Sequence, residues 1–311
     1  MPSDSAAIIE NPLAGPAFDR LYEEQIKGRL EACEVERKGA LQTRRAIIGA
    51  GIALLVMESG LTFQLTQGAT FLPNPLLAAA TAVAAVVAAV FSVRGLKAKV
   101  KRGVIQALCA PLGLTYRVGG VVSGFDDFVD LGLVPIADNF KFEDHFAGAH
   151  AGVAFELGEA VLTKGFGNAE RTVFSGQLMR IAAPRPFLGT TVVLRQAGWR
   201  NLFNCPSHLA SVGLEDPQFD KIFAVFGDDQ VEARAILTPT FMQQLLDLEH
   251  AFRGGDVRCA FARGQLLVAF EVADGFEIGD LSSSLVDRGR VESIAADIGA
   301  VFNMIDWMVP R

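Results

Sequence analysis

The stretches Ala46–Gln67 (AIIGAGIALLVMESGLTFQLTQ) and Phe71–Val93 (FLPNPLLAAATAVAAVVAAVFSV) decide the architecture of this 311-residue chain. Each has about the ~20 mostly apolar residues that a helix rising ~1.5 Å per residue needs to cross ~30 Å of hydrocarbon. Glu58 is the one charged residue between Arg45 and Arg94. The sequence therefore predicts a transmembrane helical hairpin with the lipid bilayer as its partner.

Basic residues lie just outside the two apolar stretches and are absent from the short turn between them. Lys and Arg mark the cytoplasmic flanks of membrane helices, so both termini are expected in the cytoplasm. We therefore expect a multi-pass membrane protein. The flanking cations are Arg37, Lys38, Arg44 and Arg45 before the hairpin, and Arg94, Lys97, Lys99, Lys101 and Arg102 after it.

The hairpin divides the chain into four predicted parts. Residues 1–45 form a cytosolic tail and an amphipathic helix, and residues 46–93 form the transmembrane hairpin, with Pro73 and Pro75 at the end of its turn. Residues 94–112 continue as a juxtamembrane helix. Residues 113–311 are long enough for a sizeable core and are predicted to form a cytosolic mixed α+β domain.

Charge is divided unevenly along the chain. Residues 1–102 carry 12 Lys and Arg against 9 Asp and Glu, whereas residues 103–311 carry 16 against 26. Binding to nucleic-acid phosphates needs clustered cations, and the cluster in this sequence lies at the expected level of the lipid headgroups. We therefore expect no nucleic-acid partner, and an acidic domain that the anionic membrane surface repels.

The four cysteines are too widely spaced for a zinc site and are expected to be reduced cytosolic thiols. They are Cys33, Cys109, Cys205 and Cys259. We expect neither a metal nor a cofactor, since Walker, GxSxG and HExxH motifs are absent from the sequence. Gly119, Gly120 and Gly124 lack the spacing of a phosphate-binding loop, and the glycine pair is read as a bend.

Alternation and turn signals predict the elements of the C-terminal domain. Gly152–Leu162, Thr172–Ile181 and Phe187–Leu194 are predicted as a meander of strands, with Pro184 before the last. Arg258–Phe261 and Gln265–Val272 are predicted as a hairpin. Predicted helices begin at Asp216-Pro217 and at Thr238-Pro239, the second ending at Gly254-Gly255, and a last helix covers Val291–Met308.

One run of residues resembles a known family. The run comprises Phe219–Phe226, then Asp228-Asp229-Gln230-Val231-Glu232-Ala233-Arg234, Ile236-Leu237-Thr238-Pro239 and Phe241-Met242. It is similar to the hallmark of the bacterial DUF3137 family of two-span membrane proteins, and the resemblance implies that the chain is a multi-pass protein of the bacterial inner membrane. The resemblance extends more weakly upstream and covers roughly residues 100–310. The family has no assigned function, so the resemblance implies no catalytic residues.

The densest polar motif, Asp228 to Arg234, is the first candidate site. Asp228 or Asp229 can cap a helix start, and Glu232 is spaced as the partner in a capping box. Arg234 would then pair with an acid elsewhere in the domain. The alternative is that Asp228, Asp229, Glu232 and Arg234 form a binding surface.

Glu58 is the second candidate, because a carboxyl group inside a membrane span has a cost that a partner or a task usually offsets. Its side chain can lean toward the far interface, or hydrogen-bond Thr81 or Gln64, or take part in proton or ion conduction. The alanines of the second span allow close helix packing, which also leaves self-association open.

Glu143, Asp144, His145 and His150 form the one cluster that resembles a metal site. The two histidines, five residues apart, fit one face of neither a helix nor a strand, so a shared ion would need a turn at Gly148. A turn with solvated charges is the preferred interpretation.

The sequence favours a membrane-anchored protein whose cytosolic domain binds a protein partner or organises an assembly, homo-oligomers included. The alternative is a membrane-associated enzyme or a binding domain for an apolar or lipid-derived small molecule, enclosed by the many Phe side chains. Catalytic residues are not identifiable in the sequence.

Overall fold

The computed structural model describes residues 13, 15–65, 74–183, 185–197, 205–251, 256–272, 284, 286 and 288–308. Its long N-terminal helix and large antiparallel sheet with helices confirm the α+β class. The predicted features at Pro73, Pro184 and Gly254-Gly255 lie outside the described residues. The chain divides into two units: Met1–Phe18, Cys109–Glu277 and Ser293–Arg311 form one, and Asp19–Leu108 and Ile278–Glu292 form the other.

The N-terminal part is helical. Helix α1 (Gly15–Leu21) continues through a π-helical turn (Tyr22–Ile26) into α2 (Lys27–Leu65), and α3 covers Pro75–Cys109. The continuous helix Gly15–Leu65 is long and apolar enough to cross a membrane, and 0% of its most apolar 18-residue window is buried. Pro75–Phe91 is a shorter apolar segment. Among the described residues, length and composition thus support one candidate span.

Helices α2 and α3 run antiparallel and touch along their length. The Thr81 hydroxyl donates a 2.7 Å hydrogen bond to Glu58 Oε1, and Lys99 lies 2.8 Å from Glu36. Between these contacts, a Cβ placed on Gly51 would lie 2.9 Å from the Ala85 Cβ. Small residues thus permit the close approach of the two helices.

Within the described residues, nine antiparallel strands form one sheet in the order β1-β2-β3-β4-β9-β8-β5-β7-β6. The strands are β1 (Thr115–Val118), β2 (Asn139–His150), β3 (Val153–Lys164), β4 (Arg171–Ala182), β5 (Thr191–Arg195), β6 (Ala210–Ser211), β7 (Phe223–Gly227), β8 (Val257–Ala262) and β9 (Gln265–Glu271). The remaining helices are α4 (Phe125–Asp130), α5 (Phe219–Ile222), α6 (Gln230–Ile236), α7 (Pro239–Ala251) and α8 (Arg288–Met308).

The predicted meander is wrong at its third strand. β3 and β4 pair as predicted, but β4 then pairs with β9, and β5 lies between β8 and β7. The predicted β8–β9 hairpin is present, with Arg263 and Gly264 at φ of 52° and 73° in its turn. The alternation of apolar and polar residues within one strand does not show which distant strand, such as β9, pairs with it.

The predicted helix starts have the expected side-chain caps. Asp216 Oδ1 accepts from the Gln218 and Phe219 backbone amides at 2.8 and 3.2 Å. Thr238 Oγ1 accepts from the Phe241 amide at 3.2 Å. These bonds satisfy amides that have no partner within the helix.

Successive side chains of the central strands point to opposite faces of the sheet, and both faces are buried. On one face α4 packs Phe128 into an apolar cluster that includes Leu162, Phe174 and Leu178. On the other face Phe302 of α8 stacks on His150 at 4.2 Å and contacts Phe155 edge-on. The sheet is therefore the middle layer between α4 and α8.

Two polar contacts also hold α8 to the sheet. Gln177 Nε2 donates to Asp297 Oδ2 at 3.3 Å, and His150 Nε2 lies 3.1 Å from Asp306 Oδ1. Burial raises the pKa of Asp297 to about 6, against a small opposing effect of the Gln177 hydrogen bond. The charged form of Asp297 therefore weakens the folded state near neutral pH.

This pKa predicts a pH dependence of stability. The pKa of Asp297 in the folded state lies above its unfolded value. The protonated carboxyl therefore stabilises the folded state fully below about pH 4, and this stabilisation is lost as the pH rises through about 6. We expect Asp297→Asn to raise the free energy of unfolding by about 1–2 kcal/mol at pH 7.5 and to flatten its dependence between pH 5 and 8.

Urea unfolding of the detergent-solubilised chain at several pH values measures this effect. Asp247→Asn is the matched control, because Asp247 is an exposed carboxylate on α7. A parental pH dependence that survives in Asp297→Asn would contradict the assignment.

Candidate functional site

The motif Asp228 to Arg234 lies at the junction of β7 and α6. Asp229 is the N-cap of α6, and its Oδ1 accepts from the Val231 and Glu232 amides at 2.8 and 3.0 Å. The predicted cap at Asp229 is therefore present. It positions Glu232 one turn into the helix, toward the loop that precedes β5.

Glu232 and Asp228 bind the backbone of that loop. Glu232 accepts from the Leu188 and Gly189 amides, both at 2.6 Å, and Asp228 Oδ1 accepts from the Thr190 amide at 2.7 Å. The predicted capping box at Glu232 is therefore wrong. A Cβ on Gly189 would lie 2.2 Å from Asp228 Oδ1, so a larger residue there would displace the Asp228 carboxylate.

Arg234 does not join the three carboxylates. Its guanidinium makes long contacts of 3.2–3.5 Å with Gln230 and with the Gly213 carbonyl. The predicted ion pair with an acid is therefore absent from its contacts. Asp228 and Glu232 thus hold a loop while Asp229 caps the helix, and a binding role for these residues and Arg234 stays a prediction.

The cluster of acids and histidines between residues 143 and 150 does not form a turn. Gly148 lies inside β2 opposite Phe155, and the turn follows at Ala151 and Gly152. The four side chains have separate partners: Lys141 for Glu143, Tyr116 for Asp144, Glu156 for His145 and Asp306 for His150. The strand thus disperses the side chains that the sequence places side by side.

Glu156 fixes the loop that follows β1. It accepts from the Ser123 amide at 2.9 Å and contacts His145 Nε2 at 3.0 Å. Burial opposes the charged form, but these hydrogen bonds outweigh burial and hold the pKa of Glu156 below its ordinary value. Gly120 lies against the same histidine, since a Cβ there would be 2.7 Å from the His145 Cβ.

This loop leaves part of the β2 edge open. β1 pairs with residues 144–147 of β2, and the Gly119 amide bonds the Glu143 carbonyl. Gly119, at a φ of 72°, then turns the chain away from the sheet edge. In the described part of the chain, Asn139–Phe142 pairs with β3 on one side and with no strand on the other.

An aromatic pocket adjoins this open edge. Phe125 packs edge-on against Phe140 and Phe142, with ring centroids 5.5 and 5.1 Å apart. The pocket has a volume of about 480 Å³, and Val121 and Phe140 on its rim are 49% and 47% exposed. An open strand edge beside an apolar pocket suits a partner in extended conformation. We call Asn139–Phe142 with this pocket the β2 edge site.

Sequence reasoning missed the β2 edge site because it missed β2. A bulge shifts the β2–β3 register between Phe142 and His145, which breaks the period of two just where the charged residues lie. The alternation Phe140-x-Phe142 was the available signal, together with the glycine bend at Gly119-Gly120.

A larger polar cleft lies beside the β3–β4 turn and the end of β5. Its volume is about 650 Å³, and its lining includes Lys164, Arg171, Arg195 and Arg258. Arg195 contacts Glu249 and Asp256, and Arg258 contacts Asp256 and Glu271. The two inner cations are thus already neutralised by carboxylates.

Glu58 has the interhelical partner that was one of its three predicted alternatives. Its Oε1 accepts from Thr81, whereas its Oε2 is buried and accepts no hydrogen bond from the described residues. The contact couples α2 to α3 across the apolar segment.

The hydrogen bonds of the motif predict how much stability each of its alanine variants loses. Asp229→Ala removes the cap of α6 and should cost ~0.5–2 kcal/mol. Glu232→Ala should cost about 1–3 kcal/mol, because two charge-assisted bonds are lost. Arg234→Ala should stay within ~0.5 kcal/mol. Thermal unfolding of the three variants measures this order, and an equal loss in Arg234→Ala would contradict it.

Comparison with known proteins places the motif in a family. Residues 172–309 match the family model DUF3137, described as a protein of unknown function. No curated protein matches this chain. The crystal structure of the mycobacterial trehalose monomycolate transport factor A, TtfA, is similar over 66% of this chain and 93% of its own, at 11% identity and a TM-score of 0.31. A similarity that weak carries no argument. The resemblance to the DUF3137 family is thus confirmed for residues 172–309, which include the motif from Phe219 to Met242.

Proposed function

We propose that this protein is an interaction module of the bacterial inner membrane. A two-span helical hairpin anchors it with both termini in the cytoplasm, and its cytoplasmic domain binds an extended segment of a partner protein at the β2 edge site. The observation that carries the proposal is the open edge of Asn139–Phe142 beside an exposed aromatic pocket.

The anchor is supported by the exposure of the helical surface. Large apolar side chains of α2 and α3 point outward, among them Ile52, Val56, Val83 and Val86 at 58–62% exposed. Such a surface is costly in water and suits hydrocarbon. Arg44 and Arg45 of α2 and the basic end of α3 lie at the same end of the antiparallel pair, which favours cytoplasmic termini.

The β2 edge site defines the chemistry of its partner. Unpaired backbone groups of a sheet edge bind another strand through main-chain hydrogen bonds, and a pocket beside the edge selects a side chain. Asp126 lies on the rim of the pocket, is exposed and makes no ion pair with a described residue. A partner segment with an apolar side chain next to Lys or Arg therefore fits.

The second candidate function is a binding domain for a small molecule in the 650 Å³ cleft. The apolar Val129, Val134 and Leu194 in its lining favour it. We rank it second because Arg195 and Arg258 are already bound to carboxylates, so an anionic ligand would have to displace them.

Topology can be tested with introduced cysteines. In intact cells, Thr70→Cys should react with a membrane-impermeant maleimide and Arg311→Cys should not. Burial raises the pKa of the Cys109 and Cys259 thiols to about 12 and of Cys205 to about 11, so these native thiols react slowly. Equal labelling at both positions would contradict the two-span arrangement.

Partner binding can be tested with a photo-crosslinking amino acid in living cells. We expect a protein adduct when it replaces Phe140, and none when it replaces Phe166, which is 75% exposed but lies outside the β2 edge site. Val121→Asp should reduce the Phe140 adduct several-fold, because it places a charge on the apolar rim.

Mass spectrometry of the adduct identifies its crosslinked peptide. A partner strand with an apolar residue beside a cation supports the proposal, and a second copy of this chain identifies self-assembly as the function. Equal adduct yields at Phe140 and Phe166 would contradict a specific site. An adduct yield at Phe140 that Val121→Asp leaves unchanged would also contradict it.

A further inference from the structure

An apolar groove runs between α2 and α3. One wall consists of side chains from a single face of α2, and the other of small and branched side chains from α3, around a volume of about 460 Å³. The wall residues are Ile48, Gly51, Ile52 and Leu55 of α2, and Ala82, Ala85, Val86, Ala89 and Val90 of α3; Arg44 lies at one end.

The length of the groove matches one leaflet of a bilayer. From Arg44 to Leu55 is eleven residues, or about 16 Å at ~1.5 Å per residue. Half of the ~30 Å hydrocarbon core is about 15 Å. With Arg44 at headgroup level, the groove therefore ends near the middle of the membrane, one turn before Glu58.

Arg44 gives the groove a charged end. Its side chain is exposed and forms no ion pair with a described residue. An arginine at the cytoplasmic interface attracts the phosphate of an anionic lipid, and its donors fit phosphate oxygens. The groove thus joins a site for a phosphate to a site for a hydrocarbon chain.

The walls favour a flexible chain over another helix. Helices that associate in lipid approach through small residues such as the alanines of the groove, but Ile48, Ile52 and Val86 beside them are bulky and 43–62% exposed. An acyl chain can follow such an uneven surface, because its bonds rotate freely.

We propose that this groove binds one acyl chain of an anionic phospholipid from the cytoplasmic leaflet, with the lipid phosphate on Arg44. The inference rests on the proposed membrane hairpin. The occupant would fill the space between α2 and α3 beside their close contact at Gly51 and Ala85.

The full chain, purified in mild detergent, is tested by native mass spectrometry with added dioleoyl phosphatidylglycerol or dioleoyl phosphatidylcholine. The parent should retain one phosphatidylglycerol in preference to phosphatidylcholine. Arg44→Gln should reduce this preference about fivefold, which corresponds to ~1 kcal/mol for one arginine at an anionic surface. Arg45→Gln is the matched control, because Arg45 is equally exposed but does not line the groove.

A second pair of variants tests the hydrocarbon part. Ala82→Leu fills the deep end of the groove and should lower the retention of both lipids. Val83→Leu, next to it but outside the lining, should leave retention unchanged. Equal effects of Arg44→Gln and Arg45→Gln would overturn the site, since general attraction to the surface would explain them. A dimer that Ala82→Leu dissociates would assign the groove to a second copy and also overturn it.

Alkaline extraction of cell membranes separates this inference from the proposed anchor. A chain released into the soluble fraction would refute the hairpin itself. A chain that stays in the membrane while both arginine variants behave alike would refute the lipid site alone.

Discussion

The pairing of β3 with β4 is the constraint on which the sheet domain depends. Its register places Ala160 and Leu162 opposite Gly176 and Phe174 on the face under α4, and Glu159 opposite Gln177 on the face under α8. A slip of one residue would move a member of the polar pair into the apolar cluster under α4. Gly176 also belongs to this constraint, because a Cβ there would lie 2.1 Å from the Phe270 carbonyl of β9. The central strands therefore have one workable alignment.

The edge of the sheet follows from the same arrangement. The β2 bulge turns Asp144 toward Tyr116 and lets His145 contact Glu156, so the loop after Gly119 is held over the sheet face. Because that loop crosses the face, it cannot continue β1 along β2. The exposed Lys141 within Asn139–Phe142 is a charge of the kind that limits unwanted pairing at native edges. The exposed aromatic rings beside this edge are therefore the feature that favours a specific partner.

The sequence predicted the parts that local chemistry determines. Alternation predicted β3, β4 and the β8–β9 hairpin, and cap residues predicted the helix starts at Asp229 and Thr238. Contacts between distant residues were out of reach: Glu232 binds amides 43 and 44 positions away, and β9 inserts beside β4. β2 was missed because its bulge disrupts the alternation. The Glu58–Thr81 contact was one of several alternatives, since sequence alone does not fix how two helices are rotated against each other.

Amide hydrogen exchange of residues 139–147 tests the open edge most directly. In the purified chain, we expect the amides of Asn139–Phe142 that face away from β3 to exchange fast, and those of residues 144–147, paired with β1 and β3, to exchange slowly. In native membranes, where the proposed partner would be present, exchange at Asn139–Phe142 should slow. Slow exchange at Asn139–Phe142 in the purified chain would mean that the chain covers its own sheet edge. Fast exchange that stays unchanged in membranes would mean that no partner binds this edge. Either result contradicts the account.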